Sequence, residues 1–452
     1  MIYCAMTNGA FPAFAGEDVL RTTAIKADKM PENRIATFVT PVGGETVGLS
    51  LAGNVVGSAV YFDWEGKNDF LDQYMLNSTY TLYSATTTEG ATVNVYTYEP
   101  SEKVTVFSIN GATMSSFDGS GLDGVQCLTL LNAGLKDITY PNSANLTELN
   151  LDNNALETFD ISRFPELRAL SLSGNKLTSL DLSGASYLQV ASAALNSISE
   201  VKFANNTSLW MLNLAANELR DIDLSPLSQL EQLSLSNNYL SHIDLSANNR
   251  LRVIQLDGNA FTFSTLPLPK SAWYLYSFGN QGPMTVECVD GKVDLSSEAV
   301  INGVETEYTW YLGIPAFDEN GNLTGENLYV GEEYTIQNGV TTFLYDFNYI
   351  MCVMTNTTFP GLYQHTNQLS TQAGVNDVLT DAQGNSFKVV ATGNGNVSVF
   401  TTLPEGTVVT AVTVDGKAVA TASVANGTAT LNAPAGAAII IAGSHAAKVI
   451  VR

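Results

Sequence analysis

A period of 21 residues constrains this chain more than anything else in it. Frames open at Val104, Val125, Leu146, Leu167, Leu188, Leu209, Leu230 and Leu251, each 21 residues after the last, with no insertion. In the copy from Leu167 to Leu177, apolar side chains fall at places 1, 4, 6 and 11, as Leu167, Leu170, Leu172 and Leu177, and Asn175 holds place 9. Leu180 and Leu182, in Leu180-Asp181-Leu182-Ser183, add two more inward side chains. Leu149, Leu151, Asn154 and Leu156 share this frame with Leu212, Leu214, Asn217 and Leu219, and with Leu233, Leu235, Asn238 and Leu240. One copy cannot stand alone. About six buried apolar groups at ~2 kcal/mol each return ~12 kcal/mol. Ordering 21 residues costs ~1–2 kcal/mol apiece, ~20–40 kcal/mol in all. Stacked copies share a core and strand-to-strand hydrogen bonds, so the period predicts a one-dimensional solenoid.

The column Asn154, Asn175, Asn196, Asn217, Asn238, Asn259 falls just after each short strand, where the chain bends inward and backbone groups lose their partners. A buried carboxamide offers two donors and an acceptor there, and unpaired groups would cost ~1–3 kcal/mol each. The column is therefore structural. Ala112 and Ala133 replace it in the two earliest copies, which places the end of the ladder near its N-terminal cap. The motif LxxLxLxxNxLxxLDLS, from Val104 to about Ser271, resembles the internalin-like leucine-rich repeats of surface and secreted bacterial proteins. Asp160, Asp181, Asp223 and Asp244 belong to it, and Lys202 interrupts that column. The resemblance implies a recognition platform whose strands expose places 3, 5 and 7. Such a fold fixes no function by itself.

Place 3 then reads Val106, Cys127, Glu148, Ala169, Val190, Met211, Gln232, Val253, and place 5 includes Asn213 and Gln255. Place 2 adds Arg168, Trp210 and Arg252 on the rim. The face is polar, uncharged and shallow, with an apolar patch expected around Val190, Trp210 and Met211, residue types frequent at contact sites. Isolated apolar surface residues are also ordinary, and incidental surface is the alternative. The partner-binding candidates are Arg168, Val190, Trp210, Met211, Asn213, Gln232, Arg252 and Gln255. An extended face suits a protein or peptide better than a small molecule, which wants a closed pocket. A glycan stacked on Trp210 beside Asn213 and Arg168 is the rival reading.

The flanks read as strands. Residues 16–103 alternate with period two, as in Thr46–Leu51 and Val93–Tyr98, and predict a β-sandwich module. Tyr61-Phe-Asp-Trp-Glu-Gly66 resembles a strand of the polycystic-kidney-disease type of sandwich. The repeat domain is set at 104–272. In 273–372, Val286-Glu-Cys288, Tyr308–Leu312 and Asp346–Cys352 resemble immunoglobulin-like strands. That resemblance implies a Cys288–Cys352 disulfide packed on Trp310; two buried free thiols are the alternative. In 373–452, Asn396–Phe400, Val412–Lys417 and the ending Lys448-Val-Ile-Val-Arg452 look like the C-terminal sorting domains of type IX secretion cargo. This resemblance implies export across an outer membrane, then release or surface attachment; a plain terminal sandwich is the alternative. Met1–Ala15 carries no charge and ends Ala13-Phe14-Ala15, a small-x-small pattern before Gly16. It reads as the tail of a signal peptide, with an ordinary N-terminus as the alternative.

Composition narrows the partners. With 44 acidic and 20 basic residues the net charge is -24, which repels phosphate backbones and anionic headgroups and argues against nucleic acid. The best apolar run, Ala437–Ala442, is far below the roughly 20 residues of a membrane helix. Catalytic signals are missing: His242, His365 and His445 lie in three different modules, and no HExxH, CxxC or P-loop occurs. Gly119-Ser-Gly121-Leu-Asp-Gly124 satisfies GxGxxG but leads into a repeat strand instead of a helix. Asp318–Asn322 reads as a hairpin turn more than a calcium loop. The expectation is thus a mainly β chain, a leucine-rich-repeat solenoid flanked by β-sandwich modules. It is expected to be non-enzymatic and free of cofactor or metal. It would be secreted or held on the outer cell surface, binding a protein or peptide of a host or neighbouring cell. A glycan-binding accessory protein and a structural surface-layer component are the alternatives.

Overall fold

The computed structural model describes residues 31–67, 71–142, 144–319, 322–371, 379–380, 386–393, 396–413, 416–433, 436–442 and 445–451. The signal-peptide reading of Met1–Ala15 lies outside the described residues. Two compact units emerge. One runs to Phe261 and takes in Thr265–Gln281, and the other holds Thr262–Ser264 and the residues from Gly282 onward.

The first unit begins with β1 (Asn33–Thr40), β2 (Thr46–Gly53), β3 (Ala59–Asp63), β4 (Asp72–Met75), β5 (Thr81–Thr86) and β6 (Ala91–Thr97). It continues with β7 (Val104–Asn110), β8 (Ser116–Asp118), β9 (Cys127–Leu131), β10 (Glu148–Asn150), β11 (Ala169–Ser171) and β12 (Ser179–Asp181). Then follow β13 (Val190–Ser192), β14 (Glu200–Lys202), β15 (Met211–Asn213), β16 (Gln232–Ser234), β17 (Val253–Gln255) and β18 (Leu275–Ser277). A five-stranded sheet runs β4-β3-β6-β1-β8, and an eleven-stranded sheet runs β5-β2-β7-β9-β10-β11-β13-β15-β16-β17-β18. Alternating side chains such as Phe38, Leu49, Leu51, Phe62, Val93 and Val95 are fully buried in the cap core, as period-two strands require.

The expected boundary at residue 103 is not a boundary between compact units. β7, the first repeat strand, pairs parallel with β9 on one side and antiparallel with β2 on the other, so Ser108 faces both Thr129 and Ser50. A strand shared between cap and solenoid welds them into one sheet. The array also runs past its expected end: β18 pairs parallel with β17, Val253 opposite Leu275, as a ninth turn. The step there is 22 residues instead of 21, which is why a strict period misses it.

Each repeat strand from β10 to β17 in this sheet is three residues long, with its middle residue buried and its flanks at least partly open, as in Ala169-Leu170-Ser171. The ladder of asparagines behaves as the bend required. Asn217 Oδ1 accepts from Ile198 N at 2.9 Å, while its Nδ2 donates to Ala193 O at 2.9 Å and Leu214 O at 3.0 Å. Successive rungs share acceptors. Ala193 O takes amide protons from Asn196 and Asn217, and Leu214 O from Asn217 and Asn238. The last rung is a glutamine: Gln281 Oε1 accepts from Phe261 N, and its Nε2 donates to Leu256 O. Place 8, next to this column, is left-handed in every turn, from Gly111 (φ 79) and Asn132 (φ 54) to Leu195 (φ 56), Ala216 (φ 55) and Gly258 (φ 65).

Between Lys292 and His365 the second unit contains two larger sheets and a small ladder of Val300–Ile301 with Val304–Glu305. One joins Lys292–Asp294, Val340–Phe343 and Tyr334–Gln337; the other joins Leu323–Asn327, Glu307–Phe317, Ile350–Thr355 and Gln364–His365. Trp310 stands directly opposite Cys352 on neighbouring strands, both fully buried, and Trp310 Nε1 donates to Thr341 Oγ1 at 3.1 Å. The expected Cys288–Cys352 bridge is not formed, and both thiols are free. Cys288 sits outside the strands, half-buried, in the loop that leads to Lys292, and therefore lacks the facing-sheet position that a bridge needs. Asp318 and Asn322 do close a hairpin, with Asn322 N on Asp318 Oδ1 at 2.8 Å. From Leu379 on, two four-stranded sheets enclose an apolar core that includes Val397, Val399, Val409, Ala411, Leu431 and Ile440.

Candidate recognition face

The repeat ladder sets two solvent-facing rows. Along place 3, Val190, Met211, Gln232 and Val253 are neighbours in register across β13, β15, β16 and β17. Along place 5, Ser192, Asn213, Ser234 and Gln255 follow in the same way. Adjacent rungs lie about 4.8 Å apart, so Val190, Met211 and Gln232 form one contiguous, half-buried strip. The burial of the residue between the rows, such as Leu212 or Leu233, points the row side chains outward and leaves them free of core packing.

The lower row is partly knitted to itself. Asp152 Oδ1 accepts from Ser171 Oγ at 2.7 Å and Ser173 N at 2.6 Å, and the Ser173 and Ser192 hydroxyls meet at 2.9 Å. Asn213 Nδ2 donates to Ser192 Oγ at 3.3 Å, and its Oδ1 accepts from Ala215 N. Toward the other end, Asp257 accepts from Gly279 N, Ser236 Oγ and Ser277 Oγ. Asn213 is therefore held in place by its own ladder. At the cap end of the face, burial and the neighbouring Glu148 carboxylate push the Cys127 thiol above its usual range, which disfavours the thiolate.

Trp210 does not join Val190 and Met211. It stands at place 2, where the backbone ladder ties Trp210 N to Gln189 O and Glu231 N to Trp210 O. There Trp210, 36% exposed, lines a shallow depression of about 500 Å³ with Gln189 and Glu231 on one side and Ser208, Gln229 and Arg250 on the other. Thr207 completes the lining. Arg168 and Arg252 continue the same place-2 column, exposed, two turns to either side of Trp210. Thus the structure brings Val190, Met211 and Gln232 together, and Asn213 with Gln255 in a second row, while it assigns Trp210 to an edge. Gln189, Gln229, Glu231 and Arg250 were missing from the sequence-derived set. Reading place 21 (Ser208, Gln229, Arg250) as a column beside place 2 would have found them.

A smaller depression of about 330 Å³ lies where Lys202 interrupts the aspartate column, between Asp181 and Asp223. The aspartates there are turn formers: Asp181 accepts from Ser183 N and Oγ, and these bonds hold its carboxyl below the usual range. Two histidine side chains are described. His242 Nε2 lies 3.5 Å from Asp221 on the open surface, and His365 Nδ1 is 3.1 Å from Thr366 O. The side chain of His445 lies outside the described residues. Among the described residues no three His, Cys, Asp or Glu side chains converge to hold a metal ion, and no helix is long and apolar enough to cross a membrane.

Neither a protein-family model nor a curated relative matches the sequence. Solved structures similar to it are leucine-rich-repeat proteins. The leucine-rich repeat domain of APL1B is 21% identical over 31% of this chain and 43% of its own, with a TM-score of 0.27. The LRIM1/APL1C complex gives 24% identity over 37% of this chain and 32% of its own, with a TM-score of 0.30. The chain thus spans under half the length of either. The functional domain of InlJ from Listeria monocytogenes gives 16% identity over 63% of this chain and 93% of its own, with a TM-score of 0.19. The strand ladder and the asparagine rungs describe one thing: a mainly β chain built around a leucine-rich-repeat solenoid.

Proposed function

We propose that this chain is an exported, non-enzymatic recognition protein that binds a protein or peptide partner on the exposed rows of its solenoid. One observation carries the reading. The unbroken register across β13, β15, β16 and β17 presents Val190, Met211, Gln232 and Gln255 as a continuous, half-exposed surface outside the buried leucine column. Half-buried Val and Met beside amide groups give the mixed apolar and polar chemistry of a protein-contact patch. Preorganisation by the ladder lowers the ordering cost of binding. In this reading the immunoglobulin-like segment is a spacer, the final sandwich is a type IX sorting-type module, and the protein acts outside the cell or on its surface in adhesion.

Photo-crosslinking in the producing cells tests the binding site. A photoreactive residue at Met211 or Gln255 is expected to trap a discrete partner that one at Glu218 does not, and Val190→Glu is expected to abolish the product. Equal products from all three positions, or none, would refute the assignment of the face. Mass spectrometry of surface, periplasmic and medium fractions tests export. A mature form beginning near Gly16 and lacking the final module is expected on the surface or in the medium. An intact chain confined to the cell interior would end that part of the reading.

A further inference from the structure

We propose that the Trp210 depression is a binding subsite for neutral hexopyranose units of a glycan, separate from the rows that take the protein partner. Two columns of side chains make it. Gln189, Trp210 and Glu231 rise from place 2 of three successive turns, and Ser208, Gln229 and Arg250 from place 21. With rungs about 4.8 Å apart, three turns span about 10 Å, the reach of one to two sugar rings. Among the described residues, none of these six side chains makes a hydrogen bond or ion pair within the protein, so their polar groups remain available to a ligand. The backbone ladder beneath them fixes their spacing.

The chemistry selects the ligand class by elimination. A carboxylate ligand would meet Glu231, and an ammonium ligand would meet Arg250. An apolar side chain would strip water from a lining that is mostly polar without pairing it, at a cost for every buried group. A sugar avoids all three. Its hydroxyls both donate and accept, which matches carboxylate and amide oxygens on one side and guanidinium and amide N–H groups on the other. Its axial C–H face presents positive edges to the negative π face of an indole. The site is open and shallow, so binding is expected to be weak, with Kd on the order of 1 mM.

The test titrates the full chain with cellotriose, maltotriose, mannotriose and chitotriose, and with trigalacturonic acid as a charged control, by saturation-transfer NMR and tryptophan emission. Trp64 and Trp310 are buried and Trp273 is half-buried, so an emission change is assigned to Trp210 by its loss in Trp210→Ala. At least one neutral trisaccharide is expected to bind, to lose tenfold or more of its affinity on Trp210→Ala, and to lose several-fold on Glu231→Gln. Trp210→Ala is a surface change, and an unaltered circular dichroism spectrum verifies the fold. Absence of binding by all four neutral sugars at about 10 mM, or binding unchanged by Trp210→Ala, overturns the proposal. Binding by trigalacturonic acid alone, weakened by salt and by Arg250→Ala, overturns it in favour of an anionic ligand. Met211→Glu is expected to leave sugar binding intact while disrupting the protein-binding rows, which separates failure of this subsite from failure of that reading.

Discussion

Replacing Asn217 by alanine probes the rung that holds the solenoid's turns together. Asn217 is buried, and its removal strips the Ile198 N–H of the acceptor it has at 2.9 Å. An orphaned buried donor costs ~1–3 kcal/mol. Ala193 O and Leu214 O each lose one of two amide donors but keep the other, from Asn196 and Asn238. Two such partial losses add ~0.5–1 kcal/mol each, for a total of about 2–5 kcal/mol. The shared carbonyl supplies a sharper check. In the double variant Asn196→Ala/Asn217→Ala, Ala193 O loses both donors, so the two changes are expected to couple by about 1 kcal/mol or more. Asn154 and Asn238 share no acceptor, and that pair is expected to add within ~0.5 kcal/mol. Urea denaturation followed by circular dichroism gives the energies. Hydrogen exchange read by mass spectrometry across residues 190–240 locates the loosening. A loss below ~1 kcal/mol for Asn217→Ala, or equal coupling in both pairs, would refute the shared-ladder account.

Four further outcomes follow from the same structure. Leu195 is 64% exposed at φ 56, so Leu195→Asn is expected to stabilise by up to about 1 kcal/mol by relieving left-handed strain. Gly174→Ala is expected to destabilise by ~1–2 kcal/mol or more, since the new Cβ would come 2.2 Å from Asn153 Oδ1 at φ 69; urea midpoints decide both. Serine hydroxyl and amide donors hold the carboxyls of Asp181 and Asp223 below their usual range in the folded state. Their contribution is therefore full above the unfolded value near 3.9 and is lost as pH falls through the lower folded value. Thermal melts should fall less steeply below about pH 4 in Ser183→Ala/Ser225→Ala than in the parent. Burial raises the thiols of Cys288 and, far more strongly, Cys352. Alkylation without reductant should label both after unfolding and leave Cys352 untouched in the native protein. A mass two hydrogens short and resistant to alkylation would show the bridge after all.

The parts legible in the sequence were those set by strict spacing. Twenty-one residues returned each Leu to the core and each Asn to its bend, so the rungs from Asn154 to Asn259 and their threefold bonding could be read from periodicity and the carboxamide inventory. What escaped was set by pairing that leaves no period. β2 joins β7 antiparallel, and nothing in Thr46–Gly53 distinguishes an edge that pairs with a repeat from an edge of a separate sandwich. The ninth turn escaped through one inserted residue and a longer amide, Gln281. The candidate site was half legible. Rows of one strand face follow from alternation, so Val190, Met211 and Gln232 were placed together. Trp210 is adjacent to Met211 in the chain, but Ser208, Gln229 and Arg250 reach it from the last place of three turns, which a strand-by-strand reading does not scan. The thiols show the limit of resemblance: Trp310 and Cys352 are paired on neighbouring strands, but Cys288 lies in a loop and forms no bridge.

The strand shared by cap and solenoid also makes the two ends of the ladder unlike. One terminal turn has its outer edge at β18, a parallel strand, whereas the other is consumed by β2 running the opposite way. A parallel turn arriving from another copy would find no parallel edge at β7, because its hydrogen-bonding groups are already taken. Head-to-tail growth, in which the last turn of one molecule extends the first turn of the next, is closed by polarity at that junction. The length of the array is thereby fixed within each molecule, and a solenoid that could otherwise propagate as a filament is kept to a defined number of turns.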